Sequence, residues 1–143
     1  MKKVCFVCLG NICRSPMAEF VMKNLDEDGR LQVVSRATSG WEHGNPIHTG
    51  TRRIFQKHKI AYSSQKRSQQ IAKQDLETFD FIIGMDKQNV ADLKRLSNGL
   101  YDRKIFLFAE GGVPDPWYTG DFDATYIQVK AGCQRWLERI LKD

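Results

Sequence analysis

Hydrophobic and polar positions change their period several times along the chain, and each change predicts an element. Val4 to Val7 is an unbroken apolar run with the length of a buried parallel strand. From Pro16 to about Asp28, Met17, Phe20, Val21, Met22 and Leu25 recur near helical spacing, and Gly29 ends the pattern. Leu31 to Ser35 predicts a second strand, parallel to the first because one helix connects them. Arg36 to Gly50 is a polar loop carrying an isolated Trp41. Helices follow over Thr51–Lys59, with Ile54 and Phe55 inward, and after Ser68, with Ile71, Leu76 and Phe79 inward. Phe79 to Met85 predicts a third strand, after which Asp86 caps a helix carrying Val90, Leu93 and Leu96 and closed by Asn98-Gly99. Lys104 to Phe108 is the fourth strand. The last helix starts near Asp121, its stripe running Phe122, Tyr126, Val129, Cys133, Trp136, Leu137 and Ile140, with Tyr126, Cys133 and Trp136 as core. Strands alternating with helices over 143 residues give one α/β domain, 1–143: doubly wound, with a four-stranded parallel sheet flanked by helices. A ligand site in such a fold lies outside the carboxyl ends of the strands, where Cys8, Ser35, Asp86 and Asp115 all fall.

The first of those ends is the most informative. Val7 to Ser15 joins a strand to a helix, a turn that collects unpaired backbone N–H groups. With Gly10 and Asn11 available for left-handed backbone, residues Leu9, Gly10, Asn11, Ile12, Cys13, Arg14 and Ser15 form a concave nest suited to phosphate. Ser15 is the expected N-cap and Pro16 the first helical residue. Cys8 and Arg14, five residues apart, place a sulfur at the floor and a guanidinium over two oxygens of the guest. A thiol at a helix N-terminus beside an arginine loses its proton readily and becomes a nucleophile.

Charge and cysteine usage narrow the setting. A formal charge of +5 favours anionic partners, but the basic residues are scattered in pairs such as Arg52-Arg53 and Lys94-Arg95, so a nucleic-acid partner is not expected. The apolar run after Lys2-Lys3 is too short for a signal peptide, and no stretch reaches membrane-spanning length. Four cysteines without a secretory signal point to the cytoplasm. Cys5 and Cys8 lie on one strand and face opposite ways, so they do not form a redox or zinc pair. Cys8 and Cys13 share one curled loop and are placed for a reversible protective disulfide. No cofactor or metal is expected, since His43, His48 and His58 lack ligand spacing and read as surface residues.

Expelling an alkoxide or phenoxide from a phosphate ester takes a proton donor. Asp115, between Pro114 and Pro116 and followed by Trp117 and Tyr118, sits where aromatics favour its neutral form. Asp86, at another strand end, is the rival, although helix capping alone accounts for it. The residues by themselves leave both open.

Val7-Cys8-Leu9-Gly10-Asn11-Ile12-Cys13-Arg14-Ser15-Pro16, with Asp115-Pro116-Trp117-Tyr118 about a hundred residues later, closely resembles the low-molecular-weight protein tyrosine phosphatases. Thr38-Ser39-Gly40-Trp41 with Gly44-Asn45-Pro46 resembles that family's substrate-flanking loop. The resemblance implies hydrolysis of protein phosphotyrosine through a cysteinyl phosphate, with Cys8 as nucleophile, Arg14 as clamp and Asp115, rather than Asp86, as general acid and base. It further implies that Ser35 supports Asn11, that Ser15 hydrogen-bonds Cys8, and that Trp41, Trp117 and Tyr118 wall the substrate ring. Tyrosine-phosphorylated proteins are the implied partners, together with a tyrosine kinase acting on Tyr118. From Ser63 to Gln70 the family's histidine and arginine pattern is not matched, and its supporting contacts there are not expected. Two alternatives remain: a protein-arginine phosphatase, disfavoured because Ile12 has no hydroxyl for a guanidinium, and a noncatalytic phosphate-binding module. An arsenate reductase would need downstream cysteines that are missing around Gly84.

Overall fold

The computed structural model describes all residues from Met1 to Asp143. Strand β1 (Lys2–Cys8) runs into helix α1 (Arg14–Leu25), followed by β2 (Leu31–Ala37), α2 (Thr49–Lys57) and α3 (Lys73–Thr78). Then come β3 (Phe81–Gly84), α4 (Lys87–Ser97), β4 (Ile105–Leu107), α5 (Pro116–Thr119) and α6 (Phe122–Lys142). The strands lie in the order β2-β1-β3-β4, all parallel, with Phe6 beside Ser35 and Ile83. This is the doubly wound four-stranded sheet that the hydrophobic pattern predicts.

Alternation along β1 divides the core in two. Val4, Phe6 and Cys8 face α1 and α6, where Met17, Met22, Val129, Trp136 and Ile140 are buried. Cys5 and Val7 face the other way, onto Leu76 of α3 and Leu93 of α4. Cys5 and Cys8 therefore do lie on opposite faces. Fully burying each large apolar side chain contributes about 1.5–3 kcal/mol, so both layers hold β1 in place. At Gly132 of α6 a Cβ would run into the Phe108 ring, so glycine there lets the long helix close over the sheet.

Several boundaries differ from expectation. Helix α1 begins at Arg14 with Cys13 in the capping position and no side-chain cap, so Ser15 and Pro16 lie inside its first turn. Its orphan N–H at Ser15 points at a sulfur instead. A short α5 follows Asp115, whose side chain accepts the cap bond from Trp117 N, and left-handed Gly120 ends it. Asp86 caps α4 as expected, in a box with Asn89. Of the histidines, His48 departs from a plain surface role: it caps α2 and stacks on Phe122, its ring also set edge-on to Trp117. No helix is long and apolar enough to cross a membrane.

Candidate active site

Strand order reverses at β1, and the loop leaving its carboxyl end opens into the crevice so formed. Outside donors pull the loop's carbonyls outward. Cys8 O and Leu9 O accept from Thr38 N and Ser39 N, Gly10 O from Ser68 Oγ, Ile12 O from His48 N and Cys13 O from Thr51 Oγ1. With the carbonyls turned away, the N–H groups of Leu9, Gly10, Ile12, Cys13 and Arg14 have no protein acceptor and are left for an anion. Asn11 alone takes the left-handed conformation, at φ 56°. Gly10 does not share it; instead its bare Cα faces Glu42, whose Cγ would lie 3.3 Å from an added Cβ.

Cys8 Sγ sits at the floor of this nest. Asn11 N lies 3.2 Å and Ser15 N 3.4 Å from the sulfur, both donating. Ser15 Oγ is 3.0 Å away and accepts from Asn11 Nδ2 at 2.7 Å, which leaves its own proton to share between the sulfur and Arg36 O, 3.4 Å away. Asn11 Nδ2 donates also to Ser35 Oγ at 2.9 Å, and Ser35 donates onward to the buried Glu19 at 2.6 Å. The expected Ser35–Asn11 and Ser15–Cys8 contacts are thus both present. By contrast, burial pushes the Cys13 thiol well above its ordinary range. All four cysteines are free.

The Arg14 side chain is 3% exposed and held by two carboxylates and a carbonyl: Asp86 at 2.7 Å, Asp115 at 3.3 Å and Val113 O at 2.9 Å. Burial works against its charge, but Cys8, Asp86 and Asp115 outweigh it and hold the guanidinium more firmly protonated than usual. Asp86 therefore does more than cap a helix: one oxygen accepts from Asn89 N and the other fixes Arg14. Asp115 meets Arg14 and Trp117 N, polar partners rather than the aromatic faces its sequence neighbours suggest.

Above the nest is a cavity of about 220 Å³ walled by Trp41, Trp117 and Tyr118, with Glu42 and Asp115 at its side. The three aromatics are 80%, 55% and 74% exposed, so they stand ready to cover a guest's surface.

Sequence reasoning missed the support behind the nest. The stretch from Ser63 to Gln70, where supporting contacts were not expected, supplies three. Ser68 Oγ holds Gly10 O, Gln69 N donates to Asn11 Oδ1, and Lys66 Nζ donates to Ser35 O at 2.9 Å beside Glu19. Their polar character was visible, but no local period links them to a loop some 58 residues away.

The family model for low molecular weight phosphotyrosine protein phosphatases matches residues 3–143. The chain belongs to this family. Curated relatives include the low molecular weight protein-tyrosine-phosphatase YfkJ of Bacillus subtilis, 37% identical across all of this chain and 98% of that protein. Another is PtpA of Staphylococcus aureus, 40% identical across all of this chain and 96% of its own. Among solved structures, the low molecular weight protein tyrosine phosphatase SP-PTP of Streptococcus pyogenes superposes with a TM-score of 0.95 at 61% identity, covering 97% of this chain and 93% of that one. The phosphatase family thus accounts for the whole sheet and not only for the loop.

Proposed function

We propose that residues 1–143 act as one catalytic domain that hydrolyses protein phosphotyrosine. The observation that carries this reading is the sulfur of Cys8, ringed by two N–H groups and a hydroxyl at the floor of an aryl-sized cavity. The thiolate attacks phosphorus while the free N–H groups and Arg14 hold the equatorial oxygens. The bond from phosphorus to the tyrosyl oxygen breaks, and Asp115 gives that oxygen its proton. Water then attacks the cysteinyl phosphate, Asp115 takes a proton from it, and the sulfur–phosphorus bond breaks. Ser15 and the two N–H groups receive the departing thiolate.

Trp41 and the Trp117–Tyr118 pair flank the phenyl ring, which reaches the floor where a seryl phosphate is too short. Ile12 offers the cavity only aliphatic carbon, which ranks a phosphoarginine substrate second. The substrates are tyrosine-phosphorylated proteins rather than nucleic acid, and the exposed Tyr118 is open to a tyrosine kinase. Four unpaired thiols suit the reducing cytoplasm.

The test is phosphate release from phosphotyrosyl, phosphoarginyl and phosphoseryl peptides at mildly acidic pH, with chelator present and Cys8→Ser as control. Chelator-resistant preference for phosphotyrosine, abolished in Cys8→Ser, is expected. Preference for phosphoarginine would overturn the substrate class. Peptide binding without any release would make this a binding module.

A further inference from the structure

A second depression adjoins the catalytic cavity, and the two share Leu9 and Trp41. It is the larger, about 660 Å³ against about 220 Å³, and lies between the loop after β2, the start of α3 and the last turns of α4. Leu9, Ile71, Leu93 and Leu96 give it an apolar lining. A bond from Gln70 Nε2 to Thr38 O, 3.1 Å, ties two of its walls together.

Charge is distributed unevenly about Trp41. On the catalytic side stands Glu42; on the far side Lys73 and Arg95 border the groove. Arg95 is partly neutralised by Asp92 at 2.9 Å. Lys73 makes no ion pair: Asp75, two residues on, is engaged by Arg36 and by Ala72 N, and Glu77, one turn on in α3, forms no salt bridge with it. The groove thus combines an apolar floor with a net positive rim.

The catalytic cavity has room for a phosphorylated ring and little more, so the chain on either side of that ring must leave over the rim. Taking the phosphotyrosine reading as its basis, we infer that this groove binds the segment flanking the phosphotyrosine, accepting an apolar side chain on Leu9, Ile71 and Leu96 and a carboxylate at Lys73. Continuity through Leu9 and Trp41 places the segment there, and the unpaired ammonium selects acidic over basic sequences.

The experiment compares the parent with Lys73→Glu/Arg95→Gln. Glutamate in the first turn of α3 suits the helix dipole, so the fold is retained. Substrates are 4-nitrophenyl phosphate and phosphotyrosyl peptides with Leu and Glu flanking the phosphotyrosine on one side or the other, each matched by a peptide with Lys for Glu. Exposed charge pairs correspond to about three- to tenfold in affinity when two act together. That preference for one acidic peptide, carried by KM and weakened by salt, is expected in the parent and lost or reversed in the variant, with 4-nitrophenyl phosphate turnover unchanged. Equal treatment of acidic and basic peptides by the parent, or an undiminished preference in the variant, would overturn the groove.

Fluorescence anisotropy of labelled peptides on a Cys8→Ser background reads the same preference without catalysis. Discrimination there, with no turnover of any substrate by the parent, would uphold the groove and sink the phosphatase reading. Turnover without discrimination in either assay would do the reverse.

Discussion

Glu19, buried within α1, accepts a 2.6 Å hydrogen bond from Ser35 at the far end of β2. Because the Ser35 proton goes to Glu19, its lone pairs face Asn11, whose amide in turn orients Ser15 toward Cys8. Lys66 and Lys23 balance the carboxylate, and burial lowers the affinity of Lys66 for its proton while Glu19 opposes this. Glu19→Ala leaves the Ser35 hydroxyl without its acceptor and the part-buried Lys66 without its counter-charge, with an expected destabilisation of about 3 kcal/mol and slower turnover. Urea denaturation together with kcat checks this, and a loss of stability with kcat unchanged would reduce Glu19 to a purely structural group.

Ser15→Ala removes the only hydroxyl beside the sulfur. Departure of the thiolate in the second step then loses a donor, and dephosphorylation is expected to slow on the order of 10²-fold. Rapid mixing with 4-nitrophenyl phosphate should show a burst of nitrophenol followed by a slow phase. A single slow phase without a burst would place the hydroxyl's contribution in the first step.

Asp115 and Asp86 both contact Arg14, but only Asp115 lines the cavity. Asp115→Asn is expected to lower kcat by about 10²- to 10⁴-fold. Asp86→Ala is expected mainly to raise KM, since it frees the guanidinium, and to cost about 1 kcal/mol of stability through the lost cap. Exchanged phenotypes would make Asp86 the acid.

Three buried thiols make the fold sensitive to alkali. Burial raises Cys5, Cys13 and Cys133 above their ordinary value of 9.0, so above pH 9 the unfolded chain loses protons that the folded chain keeps. The stability they contribute is complete below pH 9 and falls as pH rises beyond it. Cys133→Ala should flatten that fall, by a slope that rises toward about 1.4 kcal/mol per pH unit, measured as the difference in unfolding free energy from the parent between pH 9 and 10.5. Parallel curves would show that Cys133 ionises alike in both states.

Much of this architecture was readable from period and local signals. An unbroken apolar run identified β1 because both its faces are buried, and Asp86 and Asn98 marked α4 by cap chemistry that acts within one turn. The nest was legible for the same reason, being a local strand-to-helix turn. What escaped were long-range polar partners. Ser68 and Gln69 reach the loop, and Lys66 reaches Ser35 in β2, only through the fold, and Asp86 acquires its second role only because β3 ends beside Arg14. The exact start of α1 was misjudged because Ser15, an excellent capping residue by type, is taken up by Cys8 and Asn11.

The placement of the indoles gives the protein a built-in optical reporter. Of the three tryptophans, Trp136 is buried with its N–H on Phe108 O, while Trp41 and Trp117 stand in water at the cavity mouth. Trp136 emits from a buried setting away from the cavity, and the other two emit from surroundings that change when a guest covers them. Emission from the unlabelled protein will therefore shift to shorter wavelength as the site fills, and replacing Trp41 or Trp117 singly will tell which wall the guest touches.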